Sequence, residues 1–225
     1  PATHTNAFLV GDRTLALVDP GSGEADELAE LFALVEALRA DGRELACIVV
    51  THHHGDHTGG VAACRARFDV PVLGHPALAE VLPIDRALQD GERIALEGFA
   101  GDFDLTVLHT PGHTRDSLSL WHARTRTLLC GDLVPGGPGS VIIDPPDGDM
   151  TAYLASLERL AALAPRVLFP SHGSPQGAAV PRIRKLIAHR LEREARVLAA
   201  LADSDVPHPA LIAACGDVDR LGAAC

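Results

Sequence analysis

The sequence predicts an α+β fold in which two β-sheets carry helices on their outer faces. Three observations predict it. Strand-like runs outnumber helical stretches in each half of the chain, with helices set between them rather than in strict alternation with strands. The apolar runs are short and end on Gly, Pro, Asp or His, as strands do. The length, 225 residues with 47% hydrophobic side chains, suits one large domain or one domain with a small appendage. Only 4% of the residues are aromatic, so aliphatic side chains and alanine must fill the core.

The elements follow in order. Residues 7–10 and 14–18 read as two strands around a Gly11-Asp12 turn, and the segment from Asp19 to Gly23 breaks the pattern. Leu28, Leu31, Phe32, Val35 and Leu38 recur at helical spacing within 24–40, which Asp41-Gly42 closes. Residues 45–50 form a continuous apolar run, the mark of a buried strand. A helix is expected over 58–67, a short strand over 71–74 and a short helix over 76–82. Further strands are expected over 94–96, 103–108, 117–122, 127–130 and 167–170, the third and fourth of these as a hairpin. An amphipathic helix spans 150–163, and a Gly/Pro-rich loop covers 134–149. From Pro181 the character changes. A long basic helix over 182–201 leads into a short segment, 206–225, so the reading is a catalytic domain over 1–180 and a helical appendage over 181–225.

Composition excludes some classes of function. A formal net charge of −11, with Lys185 the sole lysine, ill suits non-specific binding of nucleic acid or anionic membrane. The five cysteines, Cys47, Cys64, Cys130, Cys215 and Cys225, are odd in number and widely spaced, which reads as reduced thiols. No secretory signal opens the chain and no apolar run is long enough to span a bilayer. The expected compartment is the cytoplasm, although the opening Pro1 leaves room for a preceding targeting segment.

Chemistry concentrates in Thr51-His52-His53-His54-Gly55-Asp56-His57, directly after the apolar strand 45–50. A strand end presents side chains to a cleft from a rigid base. Imidazole and carboxylate together suit borderline metals such as Zn²⁺. In extended chain, residues two apart face the same way, so His52 and His54 can grip one ion. Gly55 lets the backbone turn, so that Asp56 and His57 can reach a second. His53 faces away and is read as packing or support. A histidine-rich surface loop is the bland alternative, and the order H-x-H-x-D-H weighs against it. Three more potential ligands stand beside glycines just past strand ends: His113 in Thr110-Pro111-Gly112-His113-Thr114, Asp132 after Gly131, and His172 in Ser171-His172-Gly173. Each alone is a weak signal; together and in this order they are strong. His4, His75, His109, His122, His189 and His208 receive no metal role, and Cys130 is read as packing.

With these motifs the sequence resembles the metallo-β-lactamase superfamily over roughly residues 5 to 180. The resemblance implies a four-layer αββα sandwich with two metal ions at one edge, expected to be zinc, with iron or manganese as alternatives. It implies that His52, His54 and His113 hold one ion, that Asp56, His57 and His172 hold the other, and that Asp132 bridges them. It further implies hydrolysis by a metal-bridging hydroxide, with Asp56 holding the nucleophile's proton. Asp132 stands where penicillin-destroying members commonly carry Cys or His, which argues against β-lactam hydrolysis. Glyoxalase II shares the motif, but its basic C-terminal region fits this chain poorly.

The run from Ser171-His172-Gly173 through Pro181 to His189-Arg190 and Arg193-Glu194 resembles the beta-lactamase-like-protein-2 group. That likeness implies a winged-helix-like unit at the C-terminus, here cut short. The group's human member is described as an endoribonuclease, and related proteins include thioesterases. The expected function is hydrolysis of esters or thioesters on a small-molecule or carrier-linked acyl substrate. The apolar side chains of the 134–149 loop would wall the site. A nuclease or phosphodiesterase acting on RNA is the alternative, carried by the arginine helix 182–201. A glyoxalase II-type hydrolase and a non-catalytic metal-binding module rank lower.

Overall fold

A computed structural model describes residues 4–99, 101–137 and 139–202. The first sheet comprises β1 (Phe8–Gly11), β2 (Thr14–Val18), β3 (Glu44–Val49), β4 (Val72–Gly74) and β5 (Arg86–Ala87), in that spatial order. β1 and β2 are antiparallel, and the remaining pairs are parallel. The second sheet comprises β6 (Arg93–Leu96), β7 (Phe103–His109), β8 (Leu118–His122), β9 (Thr127–Gly131) and β10 (Val167–Pro170). β6 to β9 form an antiparallel meander, and β10 joins parallel to β9. The helices are α1 (Ala25–Ala40), α2 (Gly55–Thr58), α3 (Val61–Phe68), α4 (Met150–Ala162) and α5 (Ala179–Ala202), with a 3₁₀ turn at Pro76–Glu80.

Strand alternation sorts the side chains into three apolar layers. Ala16, Val18, Val49, Leu105, Val107, Leu120 and Leu129 fill the space between the sheets. Leu15, Leu17, Ile48 and Val50 face α1 and α3 on one outer side. Leu108, Trp121, Leu128 and Cys130 face α4 and α5 on the other. The result is the αββα sandwich. A register shift between Leu15 and Ala16 pairs Leu45 and then Cys47 with successive residues of β2. Ala46 is the extra residue of a bulge, and it moves Leu45 and Cys47 to opposite faces.

The expected helix over 58–67 is divided into α2 and α3 by Gly59-Gly60. A Cβ on Gly59 would lie 2.0 Å from Ser22 O, and one on Gly60 2.6 Å from Pro20 O. The break therefore lets the loop after β2 pass against the helix start. The two-residue β5, both side chains exposed, gave no apolar pattern to read. The expected helix over 76–82 is the 3₁₀ turn. α5 begins at Ala179, before Pro181, because proline is tolerated in a first turn where its missing N–H costs nothing. Ile183, Leu186 and Ile187 from its first half are buried with Tyr153, Leu157 and Leu160 of α4. The expected winged-helix-like segment, 206–225, lies outside the described residues, as do Cys215 and Cys225; Cys47, Cys64 and Cys130 are free and buried. Among the described residues no helix is long and apolar enough to cross a membrane.

Candidate metal centre

The predicted ligands all follow strands. Thr51 to His57 leave β3 and enter α2; His113, Asp132 and His172 follow β7, β9 and β10. β3 belongs to one sheet and the other three strands to the second, so the cluster forms where the two sheets meet at one edge. Leu118 N–H donates to Thr51 O at 2.8 Å and ties the sheets together beside it. The turn into His113 needs Gly112. Its φ is +142°, and a Cβ there would lie 2.3 Å from Tyr153 Cα.

The structure brings all seven residues together. His54 Nδ1 lies 3.1 Å from His52 Nε2 and 3.1 Å from His113 Nε2. Asp56 Oδ2 lies 3.5 Å from His57 Nε2 and 3.3 Å from His172 Nε2. Asp132 stands between the two groups. Its Oδ1 is 3.6 Å from His57 Nε2, and its Oδ2 is 3.6 Å from His113 Nε2 and 3.2 Å from His172 Nε2.

These spacings fit metal ions. Ligand atoms about 2.1 Å from a tetrahedral ion lie roughly 3.4 Å from one another. His57 Nε2 and Asp132 Oδ1 are buried without a hydrogen-bond partner, a costly arrangement that a cation would relieve. The far ring nitrogens are already engaged. His57 Nδ1 is 2.9 Å from Asp19 Oδ2, His113 Nδ1 2.8 Å from Ile142 O, His172 Nδ1 2.9 Å from His4 O, and His52 Nδ1 3.1 Å from Thr51 Oγ1. An Nδ1–H donated outward leaves each Nε2 lone pair facing the cluster, which is how proteins orient ligating histidines. His54 turns the other way and offers Nδ1.

The electrostatics agree with a cluster built for cations. Burial holds His52 and His54 below the ordinary imidazole range, so both lone pairs are available. Burial opposes a charged His57, but the Asp19 and Asp132 carboxylates outweigh it and raise its pKa to about 10. Hydrogen bonds to Asp132 and Asp56 raise His172 to about 10. The same His172 bond, with Thr5 assisting, holds Asp56 well below the usual carboxylate range.

Sequence reasoning missed the supports. Asp19 is fully buried and accepts from Thr51 N–H at 2.8 Å, Thr51 Oγ1 at 2.7 Å and His57 Nδ1. Its signal was available: like the ligands, it is a polar residue just past a strand, here β2. Thr5 Oγ1 donates to Asp56 Oδ2 at 2.8 Å, and nothing in the sequence marks it. His53 Nδ1 meets Asp116 Oδ1 at 2.9 Å, in keeping with a supporting role. Burial pushes Cys130 up to about 12, so it is packing rather than a thiolate.

A cleft of about 950 Å³ opens over the cluster. Val134, Pro135, Val141 and Ile142 form one wall, Asp144 and Asp147 stand at the rim, and among the described residues no lysine or arginine lines it. An αββα sandwich with a paired His/Asp cluster under such a cleft is an architecture suited to metal-assisted chemistry. The chain belongs to the metallo-beta-lactamase superfamily, whose pattern matches residues 1–172. It is 32% identical over 210 residues to the lactamase-like protein adaB of Aspergillus niger, covering 89% of this chain and 59% of that one. It is 42% identical over 153 residues to hydroxyacylglutathione hydrolase of Halorhodospira halophila, covering 67% and 52%. It is 28% identical over 207 residues to the beta-lactamase-like protein 2 homolog of Caenorhabditis elegans, covering 89% and 66%. The chain thus spans between 52% and 66% of the length of these relatives. Among solved structures it is similar to TTHA1623 in a di-iron-bound form, with a TM-score of 0.61, 30% identity and coverage of 78% and 91%.

Proposed function

We propose that the chain hydrolyses acyl thioesters or esters at a binuclear centre. His52, His54 and His113 would hold one ion, Asp56, His57 and His172 the other, and Asp132 both. When bound, two such ions supply a hydroxide at neutral pH and an electrophilic pole for the substrate oxygen. Zinc suits this N/O donor set; the di-iron neighbour keeps iron as the alternative.

The observation that carries the substrate reading is the lining of the cleft: apolar on one wall and acidic at the rim, with histidines as its basic groups and, among the described residues, no lysine or arginine. Such a surface accepts an acyl chain and repels a polyanion. Pro135 and Ile142, both partly exposed, would receive the chain. Asp56, 46% exposed and ionised, faces the cleft with Oδ2 held by Thr5, so its other oxygen is placed to take a hydrogen bond from the attacking water. A thiolate with a pKa near ~8.5, as for a cysteine thiol, leaves with little help from an acid. The hydroxyacylglutathione hydrolases, whose name specifies an acyl-glutathione substrate, support the same chemistry. The arginine helix gives the RNA reading little support, because Arg182 and Arg190 point into the fold and Arg184 pairs with Glu158.

The test is a panel of acyl thioesters, esters and single-stranded RNA offered to the zinc-loaded protein. Thioester turnover abolished by Asp132→Ala is the expected result. Intact thioesters and esters with cleaved RNA would overturn the substrate reading.

A further inference from the structure

The loop after Asp132 forms the apolar wall of the cleft, and two arginines of α5 hold it from behind. Arg182 donates to Pro135 O at 3.1 Å and to Gly137 O. Arg190, eight residues on and so on the same helix face, donates to Val141 O. Its guanidinium carbon lies 5.6 Å from the centre of the Tyr153 ring, whose hydroxyl donates to Leu133 O at 2.8 Å. The next carbonyl beyond Val141, that of Ile142, is the one that engages His113 Nδ1. At the other end of the wall, Gly136 N–H donates to His172 O at 2.8 Å. The wall is therefore tied to α5 on one side and to two predicted ligands on the other.

We propose that Arg182 and Arg190 are positioning residues that set the shape of the acyl-binding wall and, through Ile142 O, the orientation of the His113 ring. This rests on the reading of the cleft as an acyl site. A guanidinium suits the task, because it presents several donors in a fixed planar fork and is more weakly hydrated than an ammonium. It also gives the His189-Arg190 motif a role: Arg190 faces inward to the wall rather than outward to a phosphate. Arg184, on the same helix but paired with Glu158 at the surface, is the internal control.

The experiment compares Arg190→Ala, Arg190→Lys and Arg184→Ala with the unsubstituted zinc-loaded protein. KM and kcat are measured on short- and long-chain acyl thioesters, and amide hydrogen exchange is followed across residues 134–143. Arg190→Ala should raise KM for the long chain about tenfold, the lower end of what removing a supporting contact does, with a smaller change in kcat. Exchange should quicken in the wall and not in β10 or α4. Arg190→Lys, which still donates to one carbonyl, should recover most of both effects, and Arg184→Ala should show neither. Unchanged KM, unchanged exchange in the wall, or exchange that rises equally through α4 and β10 would overturn the proposal. If the unsubstituted protein turns over no thioester, the substrate reading falls, and the exchange pattern alone decides the arginine clamp.

Discussion

Replacing Asp19 by Asn tests whether the buried carboxylate behind His57 organises the centre. The change keeps the size of the side chain and removes one oxygen and the charge. Asp19 Oδ1 receives Thr51 N–H, and Oδ2 receives the Thr51 hydroxyl and His57 Nδ1. Whichever way the amide is turned, its NH₂ faces a buried N–H, of Thr51 or of His57. Stranding one such donor costs about 1–3 kcal/mol, and the upper end applies because the lost bond is charge-assisted. For a chain of this size that lowers the melting temperature by roughly 2–4 °C for each kcal/mol. His57 also loses the partner that fixes its tautomer, so metal affinity should fall about 10- to 100-fold. Urea unfolding of the metal-free protein measures the first effect; zinc titration against a chromophoric chelator measures the second. Stability within about 0.5 kcal/mol of the unsubstituted protein, the range of an ordinary surface change, together with unchanged zinc affinity, would refute the reasoning.

Other outcomes follow from the same geometry. Gly112→Ala puts a Cβ into the Tyr153 backbone and strains a φ of +142°, so it should destabilise by about 3 kcal/mol or more, read by denaturant unfolding. Zinc uptake at pH 7 should release about three protons, one each from His57 and His172, because both have pKa values of about 10 without metal, and one from the water that becomes the hydroxide. Calorimetry in buffers of different ionisation enthalpy counts them, and the two from histidine should vanish as pH rises above 10. The sign for stability is the same. The His57 pairing stabilises the metal-free protein fully below its unfolded pKa of about 6.5, and this stabilisation is lost as pH rises through about 10, which urea midpoints between pH 6 and 10 will show. Cys130, buried and pushed up to about 12, should resist alkylation in the native protein and react only after unfolding, as mass spectrometry can follow.

What could be read beforehand depended on how local the signal was. β2 and β10 were legible to the residue, because a short apolar run ends on a polar or breaking residue at both sides. The Gly59-Gly60 break was not, because its cause is a close approach by Ser22 and Pro20, some forty residues earlier in the chain. The candidate ligand cluster was legible because metal chemistry restricts residue type and the fold places each of these side chains after a strand. Of their supports only Asp19 carries a signal, its place just past β2; Thr5 and the carbonyls of His4 and Ile142 become partners only through long-range folding. Any residue type can offer a carbonyl, so no sequence pattern points to that last pair. Arg190 stood out by its charge, yet its direction, inward to Val141 O, is a fact of packing.

The most direct test of the central claim is the metal content per chain of protein purified without added metal and then equilibrated with zinc, set beside that of Asp132→Ala. Two ions per chain, falling to one or none when the Asp132 carboxylate is removed, is the predicted result. One ion or none in the unsubstituted protein, or two retained in Asp132→Ala, would contradict a binuclear centre built on these seven side chains.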